Sequence, residues 1–259
     1  MSLSIQDDYL VHSSKNKLII KNLKTKSEKQ IIEHKEFIDF VLIKSNLLIS
    51  CAENIRIYSF PEFKPIHTIE TASYVLCCDL SDDGKTLIYS DGIGNVCRYD
   101  LDLNNNKIIF SKPYNTTDIY FLKKEQNNLK FVFCNIGIGI YDKDSMTNFS
   151  DEYRGLGVSK DRSLIATMDS KYNIVILNSA TFQVVKILNK GFHTRPVYSF
   201  HFTENRLYSG GVDRFIYKWD LVSGKCMDKV RTYGIIGSIA KHSENLYYVD
   251  TELNQVKNF

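Results

Sequence analysis

The sequence predicts an all-β chain built from repeats, on three observations. Short β-rich runs recur at near-even spacing, turn signals fall between them, and helical periodicity is almost absent. The runs are YLVHS near the start, then LLISC, TLIYS, KFVFC, LIATM, RLYSG and LYYVD. Their equivalent positions are Ser13, Cys51, Ser90, Cys134, Thr167, Ser209 and Tyr248. These lie about 39 residues apart on average, close to the ~40–45 residues of a four-stranded propeller blade. Many short strands at even spacing allow a sandwich, a barrel or a propeller, and this period selects the propeller. Residues 1–259 are read as one such domain.

Each anchor run is expected to be the second strand of a blade. A third strand follows in NIRIYSF, NVCRYDL, IGIYDKD, NIVILNS and FIYKWDL, and a fourth in PIHTIE, FQVVKIL and KCMDKV. Asp82–Lys85 and Ser223–Lys225 supply turn chemistry between strands. Seven anchors predict seven four-stranded blades. After Leu246–Asp250 only one further strand fits, near Gln255–Phe259, while an extra β-like segment, Ser2–Ile5, precedes the first anchor. The expectation is therefore a ring closed by the N-terminal strand, which completes the seventh blade and removes an exposed sheet edge. A six-bladed ring with a loose terminal hairpin is the alternative.

Blades one, two and four have short turns between their second and third strands (SSKNK, CAENI, CNIGI). They are expected to lack a full polar network and to rest on apolar packing by Leu48, Ile57, Phe131 and Ile140. The Lys/Asn-rich stretches Lys21–Lys29, Leu103–Lys107 and Lys123–Lys130 read as solvated hairpin tips.

Composition narrows the function classes. With 43% hydrophobic residues, 16 Tyr and 15 Phe, the chain is not of the disordered type. Thirty-three basic residues against 30 acidic leave +3, so charge does not indicate nucleic acid. No apolar stretch approaches the ~18 residues of a membrane-spanning helix, and MSLSIQDDYL lacks the pattern of a signal peptide. Cys51, Cys77, Cys78, Cys97, Cys134 and Cys226 form no C-x-x-C pair and mostly sit in apolar runs. They are expected to be buried and reduced, which implies a cytoplasmic or nuclear setting. His12, His34, His67, His193, His201 and His242 show no metal-ligand spacing, and the glycines of DGIGN and IGIG match no phosphate loop. No metal or cofactor is expected.

The sixth repeat, Gly191–Lys225, combines a loop histidine (His193), a small strand residue (Ser209), a turn aspartate (Asp213) and a Trp-Asp ending (Trp219, Asp220). Four residue types at these offsets resemble a WD-repeat blade. The third repeat is a second match, with Tyr99-Asp100 in place of Trp-Asp. A carboxylate such as Asp213 is costly to bury unless it is hydrogen-bonded. A chain from Trp219 through Ser209 and His193 to Asp213 would satisfy each polar group in turn. The tetrad is accordingly read as structural and not as a hydrolase triad, since no G-x-S-x-G elbow is present.

The resemblance implies a non-catalytic scaffold that binds other proteins within a multi-subunit complex. Leu188-Asn189-Lys190-Gly191 and Tyr153-Arg154-Gly155 lack the double arginine of phosphoinositide-binding propellers, so no membrane is expected. Trp219-Asp220-Leu221-Val222 lacks the Trp-Asp-x-Arg ligase-docking motif. The loops between blades and the second-to-third strand turns share one face in that family. On this chain they carry Tyr74, Tyr114, Tyr153, Arg154, Tyr172, Arg195, Arg214 and Tyr233, the residue types most enriched in binding hot spots. Two alternatives are a non-catalytic subunit of an RNA-modifying or ribosome-assembly complex, contacting RNA through that complex, and a propeller hydrolase resembling diphthine methylesterase.

Overall fold

Each β-rich run is a strand in the computed structural model, which describes residues 2–32, 34–112, 116–125, 128–134, 137–150, 152–188, 192–252 and 255–258. The first sheet holds β1 (Leu3–Gln6), β2 (Tyr9–Ser14), β3 (Lys17–Asn22) and β4 (Glu28–Ile32). The second holds β5 (Phe40–Lys44), β6 (Leu47–Cys51), β7 (Asn54–Ser59) and β8 (Pro65–Glu70). The third holds β9 (Val75–Leu80), β10 (Thr86–Asp91), β11 (Asn95–Asp100) and β12 (Asn105–Ser111). The fourth holds β13 (Asp118–Glu125), β14 (Asn128–Cys134), β15 (Ile138–Asp142) and β16 (Ser145–Ser150). The fifth holds β17 (Arg154–Val158), β18 (Leu164–Met168), β19 (Ile174–Asn178) and β20 (Val184–Leu188), and the sixth β21 (Val197–Phe202), β22 (Arg206–Gly211), β23 (Phe215–Asp220) and β24 (Cys226–Arg231). A last sheet holds β25 (Ile236–His242), β26 (Asn245–Asp250) and β27 (Gln255–Asn258).

In each of the six four-stranded sheets, hydrogen-bonded neighbours are consecutive in sequence, the meander of a propeller blade. Tight turns enforce this. Ser45-Asn46 and Lys143-Asp144 both carry two positive φ angles, as a two-residue hairpin turn requires. The middle strands are buried on both faces, so they read as continuous apolar runs such as IVIL of β19. The outer strands β8, β12, β16, β20 and β24 are largely exposed.

The expected seven four-stranded blades closed by the N-terminal strand are not what forms. Among the described residues there are six four-stranded blades, the last sheet has three strands, and β1 pairs with β2 instead of β27. The register runs from Leu3↔His12 to Gln6↔Tyr9 across the turn at Asp7-Asp8, where Asp7 has a φ of 50°. A hairpin closed by two residues costs far less loop entropy than pairing with a strand at the other end of the chain.

The chain divides into two compact units, Met1–Asn135 with Tyr141–Ser145, and Ile136–Ile140 with Met146–Phe259. Within the first, the leading strands β1, β5, β9 and β13 abut in succession, and apolar layers fill the space between neighbouring sheets. Leu48, Ile57 and Phe131 lie in these layers, whereas Ile140 is only half-buried. Within the second, β17, β21 and β25 abut likewise, with Trp219 and Tyr217 at the centre of one layer. All six cysteines are free; five are buried and Cys226 is half-buried.

Candidate functional site

Blade six brings its tetrad together. Leu207 pairs with Trp219 and Ser209 with Tyr217, which places the indole beside the serine on one face of the sheet. Trp219 Nε1–H donates to Ser209 Oγ at 2.8 Å. His193 Nε2 lies 2.8 Å from the same oxygen, and its Nδ1 lies 2.7 Å from Asp213 Oδ2. With Nδ1–H donating to the carboxylate and Ser209 O–H to Nε2, donors and acceptors run in one direction through all four residues. The backbone N–H groups of Thr194 and Phe215 add two donors to Asp213. The side chain of His193 is 0% exposed and that of Asp213 3%, and Ser209 is fully buried. Tyr217 closes over the imidazole at 4.5 Å between ring centres. Every polar atom of the would-be triad is thus engaged inside the protein.

Blade two, where a full network was not expected, carries a three-membered counterpart. His34 Nε2 lies 2.8 Å from Ser50 Oγ and its Nδ1 3.2 Å from Glu53 Oε2. Glu53 also accepts the N–H groups of Lys35 and Glu36. Burial pushes the Glu53 carboxyl up, but these backbone donors and His34 outweigh it and hold it low. Tyr58 pairs with Leu48 as Trp219 pairs with Leu207, so a tyrosine holds the tryptophan's place. The signal was in the sequence, because histidine and serine are 16 residues apart in both blades. The turn is one residue shorter, and the longer arm of a glutamate makes up the reach.

Blades three and five use a different device. Asp91 accepts the backbone N–H of Asn95 at 2.8 Å and its side-chain amide at 2.9 Å. Asp169 does the same with Asn173, at 2.9 and 2.8 Å. In the blade-three turn Gly94 has a φ of +91°, and a Cβ there would lie 2.0 Å from Lys112 O, so only glycine fits.

The candidate face residues fall into groups. In the second unit Arg195 and Arg214 are exposed, and Tyr233 is 76% exposed. Thr232 donates to Arg214 O, which lays the Tyr233 loop over the Arg214 turn. The Arg214 guanidinium is tied to Glu252 at 2.8 Å. Tyr153 and Arg154 are half-buried at the start of blade five, and Arg154 Nη1–H donates to Tyr153 O. Tyr172 is taken up by packing against an apolar layer. In the first unit Tyr74 is 46% exposed. Tyr114 lies outside the described residues. Sequence reasoning passed over Phe37 and Ile93, exposed at 68% and 61%. It also passed over Asp118, whose carboxyl burial pushes up to about 7.

Among the described residues no group of three or more His, Cys, Asp or Glu side chains is arranged to hold a metal ion. Among the described residues no helix is long and apolar enough to cross a membrane.

No family model matches the chain, and no curated protein is similar to it in sequence. Among solved structures it is similar to the crystal structure of the computationally designed Ika8 protein, with a TM-score of 0.75 over 100% of this chain and 95% of that one. The two are 11% identical, so the likeness speaks to the fold alone. The fold is a β-propeller.

Proposed function

We propose that this chain is a non-catalytic protein-interaction scaffold of the WD-repeat class. One observation carries the reading. The His193, Ser209, Asp213 and Trp219 constellation spends all its hydrogen-bonding capacity on stapling one blade, and the serine hydroxyl has no solvent access. A hydrolase triad needs its nucleophile open to substrate. The offsets of these residues and the Trp-Asp ending resemble those of a WD-repeat blade, and the His34, Ser50 and Glu53 set supports the same reading for blade two. Exposed Tyr and Arg side chains on the loops, Tyr233 and Arg195 among them, have the chemistry of contact residues. The partners are other proteins in a multi-subunit complex.

The test is purification of the tagged chain from its native cell, followed by sizing and mass spectrometry, beside an esterase assay on the pure chain. The scaffold reading expects a defined protein complex and no turnover. Ester hydrolysis lost in Ser209→Ala would overturn it in favour of the hydrolase. Salt-dependent RNA binding by the chain alone would favour the RNA-complex role instead.

A further inference from the structure

One end of blades two to four combines exposed aromatic surface with carboxylates that, among the described residues, have no lysine or arginine partner, all within the first unit. The segment from His34 to Phe37 is fastened to the β6–β7 turn through Glu53. The loop before β9 reaches the same turn, since Thr71 Oγ1–H donates to Glu53 O at 3.1 Å and Val75 N–H to Ala52 O at 2.7 Å. Tyr74 then lies on Gly92, where a Cβ would fall 2.2 Å from the ring, so the glycine makes room for the tyrosine. Gly92 N–H donates back to Tyr74 O. Two residues earlier, Ser90 Oγ–H donates to Thr116 O at 2.7 Å and so anchors the segment that leads into Asp118. Phe37, Tyr74, Ile93 and the first residue of β13 are therefore held at the same end by a continuous run of hydrogen bonds.

The charge at this end is offset only in part, by the N-terminal ammonium acting on Asp39. Asp39 precedes β5 and Asp118 opens β13, and among the described residues neither is paired with a lysine or arginine. Burial raises both carboxyls above their ordinary range. Thr117 Oγ1–H, just before the strand, donates to Asp118 Oδ2 at 3.2 Å. Tyr120 follows on the same side of β13 and is half-buried. Carboxylates without a lysine or arginine partner beside tyrosine faces suit a guanidinium or ammonium, through charge and through the ring quadrupole. Exposed Phe37 and Ile93 suit apolar neighbours of that cation.

We propose that this end of blades two to four docks an extended basic segment of a partner protein, in which Arg or Lys side chains meet Asp118 and Asp39 and apolar side chains cover Tyr74, Phe37 and Ile93. The inference rests on the scaffold reading and names the chemistry of one partner.

Fluorescein-labelled peptides alternating Arg with Leu, and twins with Glu in place of Arg, test it by anisotropy. The Arg peptide is expected to bind, more weakly in high salt, and the Glu twin not to bind. Asp118→Asn and Tyr74→Ala should each weaken binding by about tenfold without lowering the melting temperature. Asp102→Asn, at an exposed carboxylate paired with Lys85, should leave it unchanged. Failure of the Arg peptide to bind, or binding by Asp118→Asn and Tyr74→Ala equal to wild type, would overturn the proposal. So would self-association that Tyr74→Ala abolishes, which assigns the face to a second copy. A native complex captured equally by wild type and an Asp118→Asn, Tyr74→Ala double variant leaves the scaffold reading intact and removes only this docking site. Absence of any complex with wild type removes the scaffold reading itself.

Discussion

Ser209 Oγ on β22 is the point where β23 and the loop before β21 are tied in, since it meets both the indole and the imidazole. Asp213 ends the chain of donors, and its loss leaves His193 Nδ1–H and two backbone N–H groups without their acceptor. Asp213→Ala is expected to lower unfolding free energy by about 1.5–3 kcal/mol, the range for hydrogen bonds to a charged group. Urea unfolding measures it. The same logic applies to Glu53, but its side chain is 24% exposed, so water can replace part of what it supplies. Glu53→Ala should cost about 1–2 kcal/mol. The His34–Phe37 segment should then show faster amide exchange while blade six keeps its protection. Equal loss of protection in both blades would mean that these networks act globally.

Between elements, leading strands are stitched by backbone N–H groups that donate to side chains on the preceding leading strand. Ile43 N–H donates to Ser4 Oγ at 2.9 Å, Phe121 N–H to Asp79 Oδ2 at 2.8 Å, and Lys241 N–H to His201 Nε2 at 3.2 Å. Asp79 is buried and also receives Lys44 Nζ at 3.0 Å, so one carboxylate links blades two, three and four. Lys44→Met takes a cation away from that buried carboxylate and should destabilise by about 2–3 kcal/mol. Lys85→Met breaks a pair whose side chains are 59% and 60% exposed and should leave the melting temperature unchanged. Comparable losses from the two would argue against Asp79 as a linking residue. Deleting residues 1–6 removes β1, bares the edge of β2 and deprives Ile43 N–H of Ser4. The melting temperature should fall, and amide exchange should rise first in β2 and β5; exchange rising first in β26 and β27 would contradict this pairing.

At the scale of the molecule, two half-buried titrating groups set opposite pH trends. Burial lowers His201 to about 4, and its Nε2 must stay unprotonated to accept from Lys241. A depressed histidine contributes stability that is present above its unfolded value of ~6.5 and is lost as pH falls toward 4. His201→Gln keeps an acceptor without titrating, so wild type should lose about 2 kcal/mol more than the variant between pH 7 and pH 4. Asp118 behaves in the reverse sense. Its carboxyl is raised to about 7, so the cost of charging it is absent below ~4 and complete above 7. Asp118→Asn should therefore be more stable than wild type by about 1–2 kcal/mol at pH 8, after allowance for water reaching a half-buried group. The difference should vanish at pH 4. Parallel pH profiles for wild type and variant would contradict either assignment.

The sequence by itself determined the strands, their meander within each blade and the polar network of blade six. These follow from local hydrophobic runs, turn residues and fixed offsets along one chain, all of which act over tens of residues. His34 and Ser50 repeat the offset of His193 and Ser209 and were equally legible. Only tertiary structure decided the partner of the N-terminal strand, because a β-rich segment fits any open edge and the choice turns on loop entropy. It also decided the setting of Asp118 and Tyr74. Nothing in their immediate sequence marks them, since the burial that raises Asp118 and the glycine that seats Tyr74 arise from strands and loops packed side by side. Charge and exposure at a site are sums over neighbours in space, and a repeat sequence states its neighbours along the chain alone.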